Sequence, residues 1–250
     1  MKYHRIIMLS AVLPVVLSPS HAVAMHISEG ILPFSWALFW FAASLPFLAM
    51  GLRTLTRRSE SDLSSKPLVG MVAAVVFVIS CMPVPIPLAG TCSHPCGTGL
   101  AAILLGPSLG VVVAAVALLI QALFLSHGGL STWGANLFSM GVLGSFGGYF
   151  IFRGLRCCRI GLIPAAFMAG LVADWATYAG TSLIMAAGIR GEGEFWPLAA
   201  KIALAFVPTQ LPLGIIEGAL TAGMISLLLR KRPDLLSRTA LSGMEGEKRQ

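Results

Sequence analysis

The chain has 250 residues, 56% of them hydrophobic and only 11% charged, against about 25% charged in an average soluble domain. A soluble globule of this length could not hide so much apolar surface, because much of its surface must face water. The net charge of +7 does not mark a nucleic-acid binder either. The basic residues sit in short clusters between apolar runs (Arg53, Arg57, Arg58, Lys66; Arg153, Arg156, Arg159; Arg230, Lys231, Arg232) without aromatic interleaving, which is the pattern of the positive-inside rule.

The first segment, residues 1–24, reads as a cleavable signal peptide. Lys2, His4 and Arg5 form a basic start, and Ile6 to Leu17 form an apolar stretch broken by Pro14, short of the ~20 residues that span a bilayer. Ala22-Val23-Ala24 is an A-x-A cleavage site. Cleavage after Ala24 leaves a free amine on Met25, on the extracytoplasmic side. The alternatives are a retained anchor helix or a start assigned too far upstream.

Apolar runs then predict spans at 33–52, 68–82, 98–126, 135–152, 161–189 and 198–229. The expected fold is an all-α, polytopic membrane helical bundle: a domain over 25–230 and a cytoplasmic tail over 231–250. The basic loops 53–66 and 153–159 and the basic end fall on the cytoplasmic side. With the mature N-terminus outside, segment 83–97 and the 126–134 loop are both outside. Run 98–126 therefore starts and ends on one side. Gly106-Pro107 sits where it could reverse, so a broken or re-entrant pair of short helices is expected there. That makes six to seven membrane segments in the mature chain.

The extracytoplasmic side carries the chemistry. A free Met25 amine, the deprotonated His26 amide nitrogen and His26 imidazole Nδ1 close one five-membered and one six-membered ring around a metal. A fourth nitrogen from His94, in the loop Ala89-Gly-Thr-Cys-Ser-His-Pro-Cys-Gly-Thr98, completes a square. Such a set suits Ni(II) or Cu(II), and low-spin Co(II) also adopts it. His127, in Ser-His-Gly-Gly-Leu, reads as a turn residue, with a role as an ion relay the alternative. Cys92 and Cys96 flank His94. They have three readings: a disulfide, soft ligands that tune metal entry, or packing thiols.

Long motifs (MHISEGILPFSWAL, GTCSHPCGTGLAAILLGP, LLIQALFLSHGGLSTWGANLFSMG, ADWATYAGTSL, and Gln210, Pro212, Glu217 and Gly218) resemble the substrate-capture components of cobalt and nickel energy-coupling-factor (ECF) transporters, the CbiM/NikM family. The resemblance covers Met25 to about Leu229. It implies that the processed Met25-His26 terminus and His94 bind the metal. The Cys-Ser-His-Pro loop and the signal peptide look more like the cobalt branch, which feeds cobalamin synthesis, with nickel the alternative. Cys96 departs from the small non-thiol residue expected there. The resemblance also implies partners in the inner membrane: a transmembrane coupling subunit, two ATP-binding subunits and, in some systems, a small accessory membrane subunit. The chain shows no Gly-x-x-x-x-Gly-Lys-Ser/Thr phosphate loop, so it reads as a binding subunit, not an enzyme.

Asp174, Lys201, Gln210 and Glu217 fall within or near apolar spans, where ionisable groups are costly. For Asp174 and Glu217, interhelical bonding is preferred to orienting the metal loop from behind. Lys201 can snorkel. Asn136 is placed to brace the Met25 segment. Gly170, Ala173, Ala176, Ala179 and Gly180 would let helices approach closely. Two other function classes stand beside metal capture: a membrane thiol enzyme using Cys92 and Cys96, and a standalone permease using Asp174 and Glu217.

Overall fold

The computed structural model describes residues 23–24, 26–82, 84–85 and 91–236. The expected leader apart from the backbone of Val23–Ala24, the Met25 amine, the Cys92 side chain and the tail beyond residue 236 lie outside the described residues. The described chain is a helical bundle of seven helices, counting Trp133–Cys157 as one. Three strands of two or three residues accompany them. Five helices are long and apolar enough to cross a membrane.

Helix α1 (Phe34–Ser61) starts directly after Pro33 and runs for 28 residues. It continues nine residues past the predicted span, through Arg53, Arg57 and Arg58. The expected loop 53–66 thus shrinks to 62–64, and α2 (Ser65–Ser80) follows. The correction has a physical reason. A basic composition marks where apolar contact ends, whereas Arg and Leu are strong helix formers, and Arg58 in the last turn complements the negative end of the helix dipole. The same holds at Arg153 to Cys157, predicted as loop but helical.

Run 98–126 divides as expected. Helix α3 (Thr98–Leu105) and helix α4 (Pro107–Phe124) meet at Gly106, whose φ of 92° and ψ of 159° suit only glycine. Pro107 opens α4 at a position where its missing N–H costs nothing. The chain reverses here: a Cβ built on Gly110 would lie 3.7 Å from the Ala102 nitrogen. At eight residues, α3 is about 12 Å long, too short to cross alone. At the tip, the Leu105 carbonyl accepts a hydrogen bond from Arg58 Nη1 at 2.8 Å, which satisfies a helix-end acceptor.

Helix α5 (Trp133–Cys157) contains a π-wound stretch over Leu137–Gly144. Helices α6 (Leu162–Ile189) and α7 (Phe195–Lys231) pack against each other along much of their length. The small residues work largely as read. Gly170, Ala173 and Gly180 are buried, and a side chain on Gly170 would meet the Glu217 carbonyl and Thr221 of α7. Ala179 instead is exposed. Trp175 Nε1 donates to the Gln210 carbonyl at 3.1 Å, bridging the same two helices. Lys201 is exposed, consistent with snorkelling. The core runs from Val72 and Val76 through Val111, Val113 and Ala117 to Leu137 and Met140. Phe34, Phe39, Trp196 and Leu204 face outward, as a membrane-embedded surface allows.

Candidate metal centre

In the uncleaved chain three short strands align the two predicted metal-binding segments, the first of them lying on the leader side of the expected cut. β1 (Val23–Ala24) pairs in parallel with β3 (Thr91–Ser93), with Ala24 opposite Cys92, and β2 (Val84–Pro85) pairs antiparallel on the other side of β3. His26 and His94 each lie two residues beyond that matched pair. Their ring centroids are 4.8 Å apart, the spacing of neighbouring strands.

The segment after His26 is clamped. Asn136 Oδ1 accepts from the Ile27 N–H at 2.8 Å, and Asn136 Nδ2 donates back to the Ile27 carbonyl at 3.1 Å. Thr132 Oγ1 also donates to that carbonyl. Ile27 is buried against Leu32, Ala135 and Ile184. Asn136 thus braces this segment, at the point where α5 changes to π winding, a distortion frequent at functional sites. On the far side the Ser131 N–H donates to Glu29 Oε2 at 3.2 Å. Bonds from Ser131 hold the Glu29 carboxyl below its usual range. They also tie the loop after α4 to the His26 segment.

Gln121, one helical turn from the end of α4, orients His26. Gln121 Nε2 donates to the Ser80 carbonyl and hydroxyl at 3.3 and 2.9 Å. A carbonyl only accepts, so the amide nitrogen points at Ser80 and Oε1 points at His26. His26 Nε2 lies 3.1 Å from Oε1 and must carry the proton, which leaves Nδ1 bare. His94 has the opposite tautomer. Its Nδ1 donates to the Pro95 carbonyl at 3.1 Å, so Nε2 is bare, and that atom is buried with no partner among the described residues.

A third imidazole completes the group. His127 lies 5.3 Å from His26 and 5.1 Å from His94 by ring centroids. Its Nε2 too is buried without a partner among the described residues. One ligand nitrogen from each ring falls within 4.8 Å of the other two. The reading of His127 as a turn residue is half right. Gly128 beside it has a φ of +82°, and a Cβ there would come 3.1 Å from the Cβ of His26, so glycine is what lets this turn approach. Burial pushes all three imidazoles below the ordinary range: His26 well below it, with repulsion from His94 and His127 adding, and His94 to about 4. At neutral pH all three are neutral, the state a metal requires.

Behind His94 lies a second buried group, Cys96, Asp174 and Glu217, whose ligand atoms fall within 4.8 Å of one another. Glu217 on α7 accepts from the backbone N–H groups of Cys96 and Gly97, the latter at 2.9 Å. Cys96 Sγ donates to Asp174 Oδ1 at 3.9 Å, and Tyr178 on α6 donates to the His94 carbonyl at 3.4 Å. The preferred reading of Asp174 and Glu217 as interhelical ties is therefore incomplete, since both reach the loop that carries His94. Cys96 is a buried free thiol, its pKa pushed up by burial and by Glu217 and Asp174.

Gln121 was not among the residues the sequence singled out. The available signal was its position as the one amide in the apolar run 107–124, where a polar side chain seeks a partner. His127 could be placed only by the fold.

The bundle and its converging imidazoles define a membrane-embedded transition-metal transport protein. The sequence profile of the CbiM family, described as the cobalt uptake substrate-specific transmembrane region, matches residues 26–235, and the chain belongs to this family. It is 64% identical over 229 residues to the cobalt transport protein CbiM of Geobacter sulfurreducens, covering 92% of this chain and 66% of that protein. It is 58% identical over 214 residues to CbiM of Sorangium cellulosum, covering 86% of this chain and 95% of that one. A solved structure described as a truncated transition metal transporter superposes with a TM-score of 0.70 at 25% identity, covering 82% of this chain and 98% of that one. A second, described as a transition metal transporter, gives 0.71 at 26% identity, covering 82% of this chain and 92% of that one.

Proposed function

We propose that this protein captures Co(II) from the extracytoplasmic side as the substrate-binding subunit of an ATP-driven ECF importer that supplies cobalamin synthesis. Signal cleavage after Ala24 frees the Met25 amine. The amine, the His26 amide nitrogen, His26 Nδ1 and His94 Nε2 then bind the ion in a plane. One observation carries this reading: the bond from His26 Nε2 to Gln121 leaves bare the nitrogen that a terminal amine–amide–imidazole chelate uses. The clamp on Ile27 lies C-terminal to the cut and survives it. Asn136, Gln121, Asp174, Glu217 and Cys96 hold the ligands from behind, the outer-shell support that metal-binding histidines need. The cobalt label of the family favours Co(II) over Ni(II).

A planar site with an amide nitrogen binds tightly and needs a conformational step to let go. Inverting a population from bound to released takes on the order of 5.5 kcal/mol of differential affinity. Docking of a transmembrane coupling subunit and two ATP-binding subunits in the inner membrane supplies that difference, with hydrolysis on the partners. The test is mass spectrometry of the purified protein followed by Co(II) titration. A chain starting at Met25 that binds one Co(II), with binding lost in His94→Ala, is the expected result. A chain that keeps residue 1 and binds Co(II) equally well contradicts it.

A further inference from the structure

The planar set uses two of the three imidazoles that converge here. His127 has no place in it, yet its Nε2 is buried without a partner among the described residues, and one nitrogen of its ring lies within 4.8 Å of a ring nitrogen of His26 and of one of His94. Nitrogens that share one ion at about 2.1 Å lie roughly 3–4 Å apart, so a small contraction brings the third ring into contact with the metal.

Orientation allows that contact to be axial. In the amine–amide–imidazole chelate the His26 ring is fused to the coordination plane through its six-membered chelate ring, so the ring plane marks the metal plane. An imidazole bound above that plane contains the metal–nitrogen axis and must stand perpendicular to it. The His127 ring makes an angle of 89° with that of His26, whereas His94 makes 62°. We propose that His127 is the fifth, axial ligand of the bound ion, and that it makes the site prefer Co(II) to Ni(II). The inference rests on the planar chelate proposed above.

The preference follows from electron count. Planar low-spin Ni(II) has eight d electrons, and the orbital pointing along the axis is full, so an axial nitrogen is repelled. Low-spin Co(II) has seven, with one electron in that orbital, and accepts a fifth donor. A square of four nitrogens alone suits Ni(II) at least as well. An axial imidazole therefore favours the cobalt complex over the planar nickel one.

The test uses the processed full-length protein in detergent, without oxygen, comparing wild type with His127→Ala and His127→Gln. Wild-type protein with Co(II) should give a low-spin electron paramagnetic resonance signal split by one axial nitrogen. Both substitutions should remove that splitting and weaken Co(II) binding by about tenfold or more. The same variants should keep a diamagnetic planar Ni(II) complex of unchanged affinity, which shows that the site is still folded. Unchanged cobalt splitting, or equal losses for both metals, overturns the axial role, as does loss of the Ni(II) complex in both variants. A paramagnetic Ni(II) complex in the wild type that turns diamagnetic in both variants means that His127 binds nickel as well and overturns the preference for cobalt, and one that stays paramagnetic in them overturns the planar chelate.

Discussion

Gln121 stands 95 residues from His26 in sequence and 3.1 Å from it in space, and this one contact fixes which imidazole nitrogen is free. Ser80 on α2 orients Gln121, Gln121 on α4 orients His26, and the turn after α4 delivers His127 to the same point. Helix α4 therefore serves the site at both its last turn and the loop beyond it.

Replacing Gln121 with Leu should lower metal affinity by about 10- to 100-fold, the usual cost of losing an outer-shell partner of a ligand histidine. Gln121→Glu keeps an acceptor for His26 Nε2 and should recover part of the loss. Competition against a chromophoric chelator reads both. Equal affinity for wild type and Gln121→Leu would show that the tautomer is set elsewhere.

Glu217 tethers the loop of His94 by two backbone hydrogen bonds, from Cys96 and Gly97. Backbone bonds of this kind contribute about 0.5–1.5 kcal/mol each, and more where the acceptor is ionised. In Glu217→Ala the amides of Cys96 and Gly97 should exchange with solvent faster, by hydrogen-exchange mass spectrometry, and metal affinity should fall with them. Glu217→Gln retains an acceptor oxygen and should fall between. Unchanged exchange at 94–98 would mean that the loop is held without Glu217.

Asn136 pairs with both the N–H and the carbonyl of Ile27, and the carbonyl also accepts from Thr132. Asn136→Leu leaves a buried N–H without its acceptor, at about 1–3 kcal/mol, and frees the residue next to His26. Thermal stability and metal affinity should both fall, while stability alone should fall if Asn136 only supports packing. Melting curves and metal titration on the same preparation separate the two.

The metal-free protein should be less stable in acid. An unfolded histidine titrates near 6.5, whereas His94 titrates at about 4 and His26 and His127 are also lowered. Between these values the unfolded chain binds more protons than the folded one. Stability is therefore full above the unfolded pKa and is lost as pH falls towards the folded values, at up to about 1.4 kcal/mol per pH unit for each such imidazole. The melting temperature should drop from pH 7.5 to pH 5.5, and less so in His94→Ala. A flat or opposite dependence would show that the three rings are not buried together.

The sequence revealed those features whose causes are local. Gly106-Pro107 announces its own break, and His26 and His94, singled out by residue type and loop position, do lie side by side. The ends of α1 and α5 were misjudged because Arg53 to Ser61 and Arg153 to Cys157 signal a membrane boundary and fold as helix, two properties that composition does not separate. Gln121 was passed over, and His127 was read first as a turn residue, because their significance depends on neighbours about 30 to 100 residues away. Glu217 looked like an interhelical tie because nothing in an apolar run tells whether a carboxylate reaches a helix or a loop. The π winding of α5 had no sequence signal.

The claim that a new amine at Met25 closes a planar chelate with His26 is tested most directly by blocking the cut, with Ala22→Leu and Ala24→Leu together, so that the Met25 nitrogen stays in a peptide bond. The uncut variant keeps His26, His94, Gln121 and the Ile27 clamp and lacks only the free amine. Titrated with Co(II) beside the wild type, the variant should lose the low-spin planar complex and bind at least about 100-fold more weakly, a loss of about 2.7 kcal/mol. A variant with the spectrum and affinity of the wild type would contradict the chelate and leave the histidines alone to hold the ion.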